Sequence, residues 1–302
     1  MLIVVSLLWG IASPIIKFSL PHFPPVLFLT YRFLISAIIM IPVLLYLEPK
    51  SLHVLGHLSA SSWFWLVVSG ILGSTVQLTL LFWGLDLTTS VDGAVINAIS
   101  PIFVAAAGFI FLKEHLTRNE NIGLALATLG TGVIIFQPLL AGHTLFSGSF
   151  LGNLLVLLGT FAWVGYVILT KKQLNHRITP LFLTTNMFVV GFFVESILLF
   201  YTTTQQEFLK TIVNAPFSAH LSVLYMAIFS GAIAYYLYQK AQKIIEVSEA
   251  NIILHLSPIF SIPLAHFWLG EPITIPFVIG SIIITVGVVF SELDRQRRKH
   301  VR

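Results

Sequence analysis

Cysteine and charge are what this sequence has least of. Its 302 residues include no cysteine, so disulfide bonds and thiolate sites are excluded. Charged residues make up 9% of the chain, where a soluble domain carries about 25%. Hydrophobic residues make up 57%, and the mean hydropathy is +0.94. This composition excludes an ordinary soluble domain and predicts an integral membrane protein.

The chain also lacks the short alternating segments typical of membrane β-barrels, and instead it carries long apolar runs. A run such as 26–47 reaches the roughly 20 residues that a helix needs to cross the hydrocarbon core. Charges, prolines and polar clusters separate these runs. We therefore predict an all-α integral membrane protein with ten transmembrane helices, at residues 2–20, 26–47, 62–84, 91–112, 121–138, 149–170, 180–201, 219–240, 248–269 and 275–292.

Basic residues are concentrated on one side of this predicted topology. If both termini are cytoplasmic, the outer loops hold only Lys210. The inner segments hold Lys50, Lys113, Arg118, Lys171, Lys172, Arg177, Lys240, Lys243, Arg295, Arg297, Arg298, Lys299 and Arg302. The positive-inside rule therefore predicts a multi-pass protein with both termini in the cytoplasm. The net charge of +4 and the basic tail at 293–302 match the anionic inner leaflet, so no nucleic-acid partner is expected.

One motif occurs twice. Ser-Pro-Ile-Phe begins at Ser100 and again at Ser257, and each copy has a glutamate thirteen residues after its proline. The same offset of 157 residues relates glycines and acidic residues on either side of the motif, and offsets of 154 and 155 relate residues nearer the N-terminus. We therefore predict two copies of a five-helix unit, at residues 1–140 and 147–292.

Five is an odd number of helices, so the second copy must enter the membrane from the opposite side. Two inverted repeats are a transporter architecture, in which a site near the membrane midplane is exposed alternately to each side. Duplication could also have built a larger helical scaffold. Prolines at matching places in both fourth helices favour the transporter, because in a scaffold they would only weaken the helices.

Three prolines are candidate hinges, namely Pro14, Pro101 and Pro258. A proline inside a helix has no N–H and frees the carbonyl four residues earlier, which is that of Asn97 or Leu254 in the repeated motif. Freed carbonyls at membrane depth are tolerated where neighbouring groups satisfy them or where they line a cavity. The repeated proline therefore predicts a bend beside a central cavity.

The order of motifs along the chain resembles a known family. Trp9-Gly10 stands near the start of the first helix, Pro14 and Lys17 follow, and Tyr31–Phe33 lies in the second. Each half then has serine-proline, a glutamate thirteen residues on, and glycines nine and sixteen residues after that glutamate. Together these features resemble the EamA-type transporters of the drug/metabolite transporter superfamily, over essentially the whole chain.

The resemblance implies a ten-helix secondary transporter of a prokaryotic inner (plasma) membrane. It places the cavity among helices one, three, four, six, eight and nine, with helices five and ten at the periphery. It also implies export of amino acids and related metabolites, whereas relatives exchange sugar phosphates or nucleotide sugars.

Ionisable residues within the predicted spans are functional candidates, because they are costly in a membrane. Arg32 could bind a substrate carboxylate or phosphate, or it could snorkel outward or tie helices together. Glu195 could couple transport to protons, or it could pair with Arg32 or Lys17. His255 shares a helical stripe with Asn251 that we expect to face the cavity, so it could bind substrate or carry a coupling proton. It could equally be a buried neutral histidine with one hydrogen bond.

Aromatic and amide side chains indicate the class of substrate. Aromatic rings could stack on an apolar solute or enclose an ammonium group, although membrane-interface belts also use Trp and Tyr. Amides could supply directed hydrogen bonds. The candidate substrate-binding residues are Trp9, Gln77, Trp83, Asn97, Trp163, Tyr166, Tyr235, Tyr238, Asn251, His255 and Arg32. A cavity with so few fixed charges favours a zwitterion or a neutral metabolite over a polyanion.

Other polar residues have simpler interpretations. Glu114 and Glu271 lie at helix ends, which favours capping of a neighbouring helix or pairing with a basic loop residue. His53 and His57 have the i, i+4 spacing of a metal pair but no third ligand nearby, so neither a metal nor a cofactor is expected.

These features predict a secondary active exporter of small amphipathic metabolites, amino acids foremost, that works by alternating access. An anion exchanger of the sugar-phosphate kind is the alternative. The expected partners are a small-molecule substrate and the lipid bilayer, with proton coupling left open and a monomer of two pseudo-symmetric halves. The chain has no HExxH motif and no GxxxxGK[ST] loop, so an enzyme is not expected.

Overall fold

The structure is a computed structural model of the whole chain. It describes residues 1–51, 56–88, 96–97, 99–135, 149–175, 178–269 and 273–300. Within these ranges, side chains are described except at positions 13, 17, 135, 175, 265, 269 and 292–300.

Helices make up nearly all of the described chain. In chain order they are α1 (Leu2–Ser19), α2 (Pro25–Leu47), α3 (Ala60–Leu87), α4 (Ser100–Leu112), α5 (Arg118–Ile135), α6 (Phe150–Asn175), α7 (Pro180–Thr202), α8 (Gln205–Asn214), α9 (Phe217–Gln242), α10 (Val247–Leu254), α11 (Ser257–Leu269) and α12 (Ile275–His300). Three of these helices contain a π-helical turn: Leu72–Val76 in α3, Gly108–Leu112 in α4 and Ile228–Ile233 in α9. The turns in α3 and α9 occupy corresponding places in the third helix of each predicted half.

Six segments are long and apolar enough to cross a membrane, judged by length and composition, when α10 and most of α11 are counted together as Val247–Trp268. Apolar helices of 10–17 residues add Leu2–Ile16, Ser100–Leu112 and Ile275–Ser291. The predicted all-α membrane class is therefore confirmed for the part of the chain that the structure describes.

The structure differs from the prediction in one additional helix and in the end of the last helix. The segment after α7, where no helix was predicted, forms the short helix α8, and Thr204 and Glu207 form a capping box at its start. Hydrogen bonds from the backbone and side chain of Thr204 hold the pKa of the exposed Glu207 carboxyl below its usual value. The last helix also continues to His300, well beyond the predicted end at 292.

Two turn residues, His255 and Leu256, interrupt the predicted ninth helix just before Pro258. They separate α10, which ends at Leu254, from α11, which begins at Ser257. Proline is well tolerated in the first turn of a helix, where its missing N–H would have no helical partner. The Ser257 hydroxyl donates to the Leu254 carbonyl at 2.8 Å, so the serine of the repeated motif satisfies the carbonyl beside the break.

Helices α5 and α12 pack at a crossing that only glycine allows. A Cβ added to Gly123 would lie 2.7 Å from the Gly287 carbonyl oxygen, and one added to Gly287 would lie 2.8 Å from that of Gly123. Gly130 and Gly280 meet in the same way, at 2.6 and 2.5 Å. The repeat offset of 157 converts one pair into the other, so the same contact is made twice with the halves exchanged.

Small residues near the centre of the bundle repeat this exchange. A Cβ added to Gly231 would lie 3.2 Å from the Ser36 hydroxyl, and one added to Gly191 would lie 2.6 Å from the Ser74 side chain. Residue 191 corresponds to 36 at an offset of 155, and 231 corresponds to 74 at 157. Each contact therefore joins a serine of the first half to a glycine of the second, and the repeat offsets interchange the two pairs.

Lys113 ends α4 in the left-handed region, at φ 57° and ψ 35°. This conformation costs a residue with a Cβ about 1–2 kcal/mol. We expect Lys113→Gly to leave the free energy of unfolding unchanged or raise it by up to about 1 kcal/mol. Glycine relieves the strain, but it also loses more conformational freedom on folding, which offsets part of the gain. Lys113→Val should lower it by about 1–2 kcal/mol, since β-branched residues tolerate this region least. Thermal unfolding in detergent measures both, and equal melting temperatures for the two variants would contradict the prediction.

Candidate substrate-binding site

Five aromatic side chains predicted as substrate contacts meet in the centre of the bundle: Trp9 of α1, Trp163 and Tyr166 of α6, and Tyr235 and Tyr238 of α9. The Trp9 ring centroid lies 5.7 Å from that of Trp163, 5.2 Å from Tyr235 and 5.4 Å from Tyr238. Trp163 lies 5.5 Å from both Tyr166 and Tyr238. We call these five residues the aromatic cluster.

Backbone features of neighbouring helices position the cluster. The Trp9 indole N–H donates at 3.0 Å to the Ser230 carbonyl, which lies in the π-helical turn of α9. The extra residue of a π turn disturbs the regular ladder, and such turns are frequent at functional sites. Beside Trp9, a Cβ on Gly10 would lie 2.5 Å from the Ser257 carbonyl oxygen, so glycine lets α1 approach the break between α10 and α11.

Amide side chains hold the phenol groups of the cluster. Gln239 Nε2 donates to the Tyr166 hydroxyl at 2.6 Å, and Asn251 Nδ2 donates to the Tyr238 hydroxyl at 3.2 Å. All four of these side chains are buried. Asn251 was predicted for this region, whereas Gln239 was not, although its position one residue after Tyr238 on the same helix was the signal available.

Arg32 is buried beside the cluster, with 2% of its surface exposed. Its guanidinium carbon lies 5.8 Å from the Phe33 ring centroid, and it interacts electrostatically with Tyr235. Its Nε has no hydrogen-bond partner, and among the described side chains no acidic group pairs with it. The structure therefore disagrees with outward snorkelling and with a structural ion pair to Glu195.

Glu195 is fully buried on α7, away from the cluster. Its Oε1 accepts a hydrogen bond from Thr79 at 2.5 Å, and its Oε2 has no partner. Lys17, the other predicted partner, has no described side chain. The arrangement leaves one carboxylate oxygen free of protein donors in the described region.

His255 contacts a different helix from Asn251, which bonds Tyr238 of the cluster. Its Nδ1 lies 3.0 Å from the Thr131 hydroxyl of α5, while that hydroxyl donates to the Ala127 carbonyl. When the Thr131 hydroxyl gives its one proton to the Ala127 carbonyl, a neutral imidazole donates from Nδ1–H and keeps its lone pair on Nε2. This Nε2 is buried and has no partner among the described residues.

The remaining predicted contacts lie apart from the cluster. Trp83 is 37% exposed, and Asn97 is exposed with its Oδ1 accepting a hydrogen bond from Thr160 at 3.2 Å. Gln77 is partly buried, and its Oε1 has no partner. Pro14 lies within the continuous helix α1, whereas Pro101 and Pro258 lie at helix starts.

Glu114 caps a neighbouring helix, which confirms the simpler interpretation of this residue. Its carboxylate accepts hydrogen bonds from the Val247 N–H at 2.9 Å, the Ser248 N–H at 3.3 Å and the Ser248 hydroxyl at 2.9 Å, at the start of α10. Lys171 Nζ donates to the carbonyl of Gln242, the last residue of α9, and to that of Ile245 just beyond it. We call the region around Glu114, Lys171 and the end of α9 the basic end. Glu271 lies outside the described residues.

Among the described residues, no three His, Asp or Glu side chains are grouped so as to hold a metal ion. His57 is exposed, and His53 lies outside the described residues.

Apolar helices of membrane-spanning length around a buried aromatic site are typical of membrane transporters, and known proteins give the family. A model of the EamA-like transporter family matches residues 1–136 and 150–293. The chain belongs to this family, which confirms the resemblance seen in its motifs.

Individual relatives cover nearly the whole chain. An uncharacterised transporter of Bacillus subtilis (strain 168), YyaM, is 27% identical over 96% of this chain and 91% of its own length. A Salmonella typhimurium (strain LT2) protein named "probable amino-acid metabolite efflux pump" is 24% identical over 99% of this chain and 96% of its own. A solved crystal structure superposes with a TM-score of 0.80 at 17% identity, covering 97% of this chain and 96% of that one, and so shares the fold.

Proposed function

We propose that this membrane transporter is a secondary active exporter of small amphipathic metabolites, with amino acids foremost. One observation carries the proposal: five aromatic rings from three helices converge beside a buried arginine that has no acidic partner in the described region. Aromatic rings would bind the apolar part of a solute, and a guanidinium would bind its carboxylate through two parallel hydrogen bonds. The name of the Salmonella relative supports the same substrate class.

We propose alternating access by two inverted five-helix repeats as the mechanism. The exchanged glycine contacts of α5 and α12, and the exchanged serine–glycine contacts at the centre, support this arrangement. Contacts that recur with the two halves interchanged support a two-fold relation between the halves, which an inverted repeat would supply. Both termini would be cytoplasmic in a prokaryotic inner membrane, with the basic end facing inward and Pro14, Pro101 and Pro258 near the points of movement.

Coupling to protons would use buried groups outside the cluster. Glu195 and His255 each keep one polar side-chain atom without a protein partner, on Oε2 and Nε2 respectively. Each could take up a proton there without breaking its existing hydrogen bond.

An anion exchanger of the sugar-phosphate kind is the second candidate, and the position of Arg32 favours it. A phosphate dianion would require more positive charge than a single arginine supplies, and no second described Lys or Arg side chain contacts the cluster. The zwitterion therefore remains the first choice.

Counterflow in proteoliposomes tests the proposal. One assay uses radiolabelled neutral amino acids, and a parallel assay uses triose phosphate with inorganic phosphate. The wild type is expected to exchange the amino acids. Exchange of the phosphates alone would establish the second candidate, and exchange of neither would indicate a scaffold.

Arg32 offers a sharp variant of this assay. Arg32→Met copies the buried Met187 that occupies the corresponding position in the second half. Loss of a charge-assisted hydrogen bond costs about 1.5–3 kcal/mol, so kcat/KM for amino-acid exchange should fall roughly 10- to 100-fold. Arg32→Lys should retain part of the activity, since lysine keeps the positive charge but cannot donate the two parallel hydrogen bonds of a guanidinium. Unchanged exchange in Arg32→Met would make the arginine structural.

A further inference from the structure

Three buried glutamines lie toward the C-terminal ends of α6 and α9, the two helices that carry four of the five residues of the aromatic cluster. Gln173 on α6 is 8% exposed, and Gln239 and Gln242 on α9 are fully buried. We call them the glutamine group. No sequence motif singled out these glutamines. Only one of their polar side-chain atoms bonds a hydroxyl of the aromatic cluster, namely the Nε2 of Gln239.

These glutamines are incompletely bonded. Among the described residues, none bonds Gln173 Nε2, Gln239 Oε1 or either polar side-chain atom of Gln242. Gln173 Oε1 accepts a hydrogen bond from the Ser69 hydroxyl of α3 at 3.1 Å. Buried side-chain amides are normally satisfied, because an unpaired donor or acceptor loses its hydration without compensation. Four unpaired amide atoms on α6 and α9 therefore need an explanation.

The positions of these residues connect the cluster to the basic end. Gln239 bonds the Tyr166 hydroxyl directly at 2.6 Å, and Gln173 lies seven residues further along α6 on the same helical face as Tyr166. Gln242 follows Gln239 by three residues on α9, and its own carbonyl accepts a hydrogen bond from Lys171. The unpaired amides of Gln239 and Gln242 thus follow the phenol groups along α9 toward the backbone carbonyls that Lys171 binds, and Gln173 lies near the end of α6.

The chemistry of the unpaired atoms defines a ligand. Gln173 and Gln242 offer N–H donors that suit a carboxylate, and Gln239 and Gln242 offer carbonyl acceptors that suit an ammonium group. The group carries no net charge, so it would not hold a zwitterion too tightly to release it. Apolar side chains of similar volume would fill the space without unpaired atoms.

We propose that the glutamine group is a second binding station, which receives the charged end of a zwitterionic solute between the basic end and the aromatic cluster. This inference rests on the proposed function. The solute would meet the amides first when the basic end opens, and would then place its apolar part among the aromatic rings.

The test measures amino-acid counterflow in proteoliposomes for wild type, Gln173→Leu and Gln242→Leu. Gln206→Leu is the control, because Gln206 is exposed on α8. We expect KM to rise at least tenfold in both test variants and to stay within twofold of wild type in the control. Melting temperatures in detergent should be unchanged or higher in the test variants, since leucine removes unpaired buried amides.

The outcomes separate this inference from the proposed function. Wild-type exchange with unchanged KM in both leucine variants would overturn the station and leave the exporter standing. Failure of the wild type to exchange any amino acid would overturn both. If a leucine variant does not fold, Gln173→Glu and Gln242→Glu replace it, and these should change the preference between neutral and cationic amino acids by at least tenfold. An unchanged preference in the folded glutamate variants would likewise overturn the station.

Discussion

Gly280→Ala is expected to lower the free energy of unfolding by about 2–4 kcal/mol, which is among the largest effects available to a single methyl group. The new Cβ would lie 2.5 Å from the Gly130 carbonyl oxygen and 2.5 Å from Ile134 Cγ1. Because one of these atoms belongs to the backbone, the clash cannot be relieved by a change of rotamer. Helices α5 and α12 would have to separate.

Gly165→Ala provides a matched control. Gly165 also lies within a long helix, but a Cβ there would meet only Leu72 Cδ1, at an ordinary 3.6 Å. Alanine is also the better helix former, so this variant should melt at or above the wild-type temperature. Thermal unfolding in detergent with size-exclusion chromatography measures both variants. Equal melting temperatures for Gly280→Ala and Gly165→Ala would show that the two helices do not cross as closely as described.

The same experiment examines the proposed two-fold relation. Gly123 corresponds to Gly280 at the repeat offset, and its Cβ would also lie within 3 Å of a carbonyl oxygen across the crossing, that of Gly287. Inverted repeats place the two glycines in equivalent surroundings, so Gly123→Ala should be destabilising to within about 1 kcal/mol of Gly280→Ala. A harmless Gly123→Ala would count against that equivalence.

The aromatic cluster could be predicted from sequence because the family resemblance assigns its helices to the cavity. Trp9 and Trp163 correspond at an offset of 154, and Tyr235 and Tyr238 share one face of a single helix. Trp83 was predicted on the same ground, because it belongs to the third helix, but it lies outside the cluster. A helix assigned to a cavity also has faces turned away from it, and the assignment alone does not say on which face a side chain lies.

His255 illustrates a second limit. Its i, i+4 spacing from Asn251 predicts one shared stripe, but Asn251 bonds Tyr238 of α9 whereas His255 lies against Thr131 of α5. Helical spacing does not say which neighbouring helix each side chain of a stripe meets. Helix α8 was missed for a different reason. Its capping box, Thr204 with Glu207, is readable in the sequence, but the segment is too short and polar to resemble a membrane span.

Trp9→Ala is expected to reduce kcat/KM for amino-acid exchange roughly 10- to 100-fold. Trp9 lies among the rings of Trp163, Tyr235 and Tyr238, where its own ring would cover the apolar part of a bound solute. An aromatic contact contributes about 0.5–1.5 kcal/mol beyond the apolar area it buries, and with that area the loss is about 1.5–3 kcal/mol. The effect on transport should exceed the effect on folding, because Trp9 is only partly buried and its loss enlarges the solute site rather than a closed core.

Trp83→Ala and Trp9→Phe make this prediction specific. Trp83→Ala removes an equally large side chain that is 37% exposed and stands outside the cluster, so kcat/KM should stay within threefold of wild type. Trp9→Phe keeps an aromatic ring but loses the indole N–H bond to the Ser230 carbonyl, so its activity should fall between those of wild type and Trp9→Ala. Initial rates of counterflow, normalised to the folded protein recovered by chromatography, measure all three. If Trp9→Ala keeps its rate while Trp83→Ala loses it, the solute contacts Trp83 on α3, and the aromatic cluster is packing rather than a binding site.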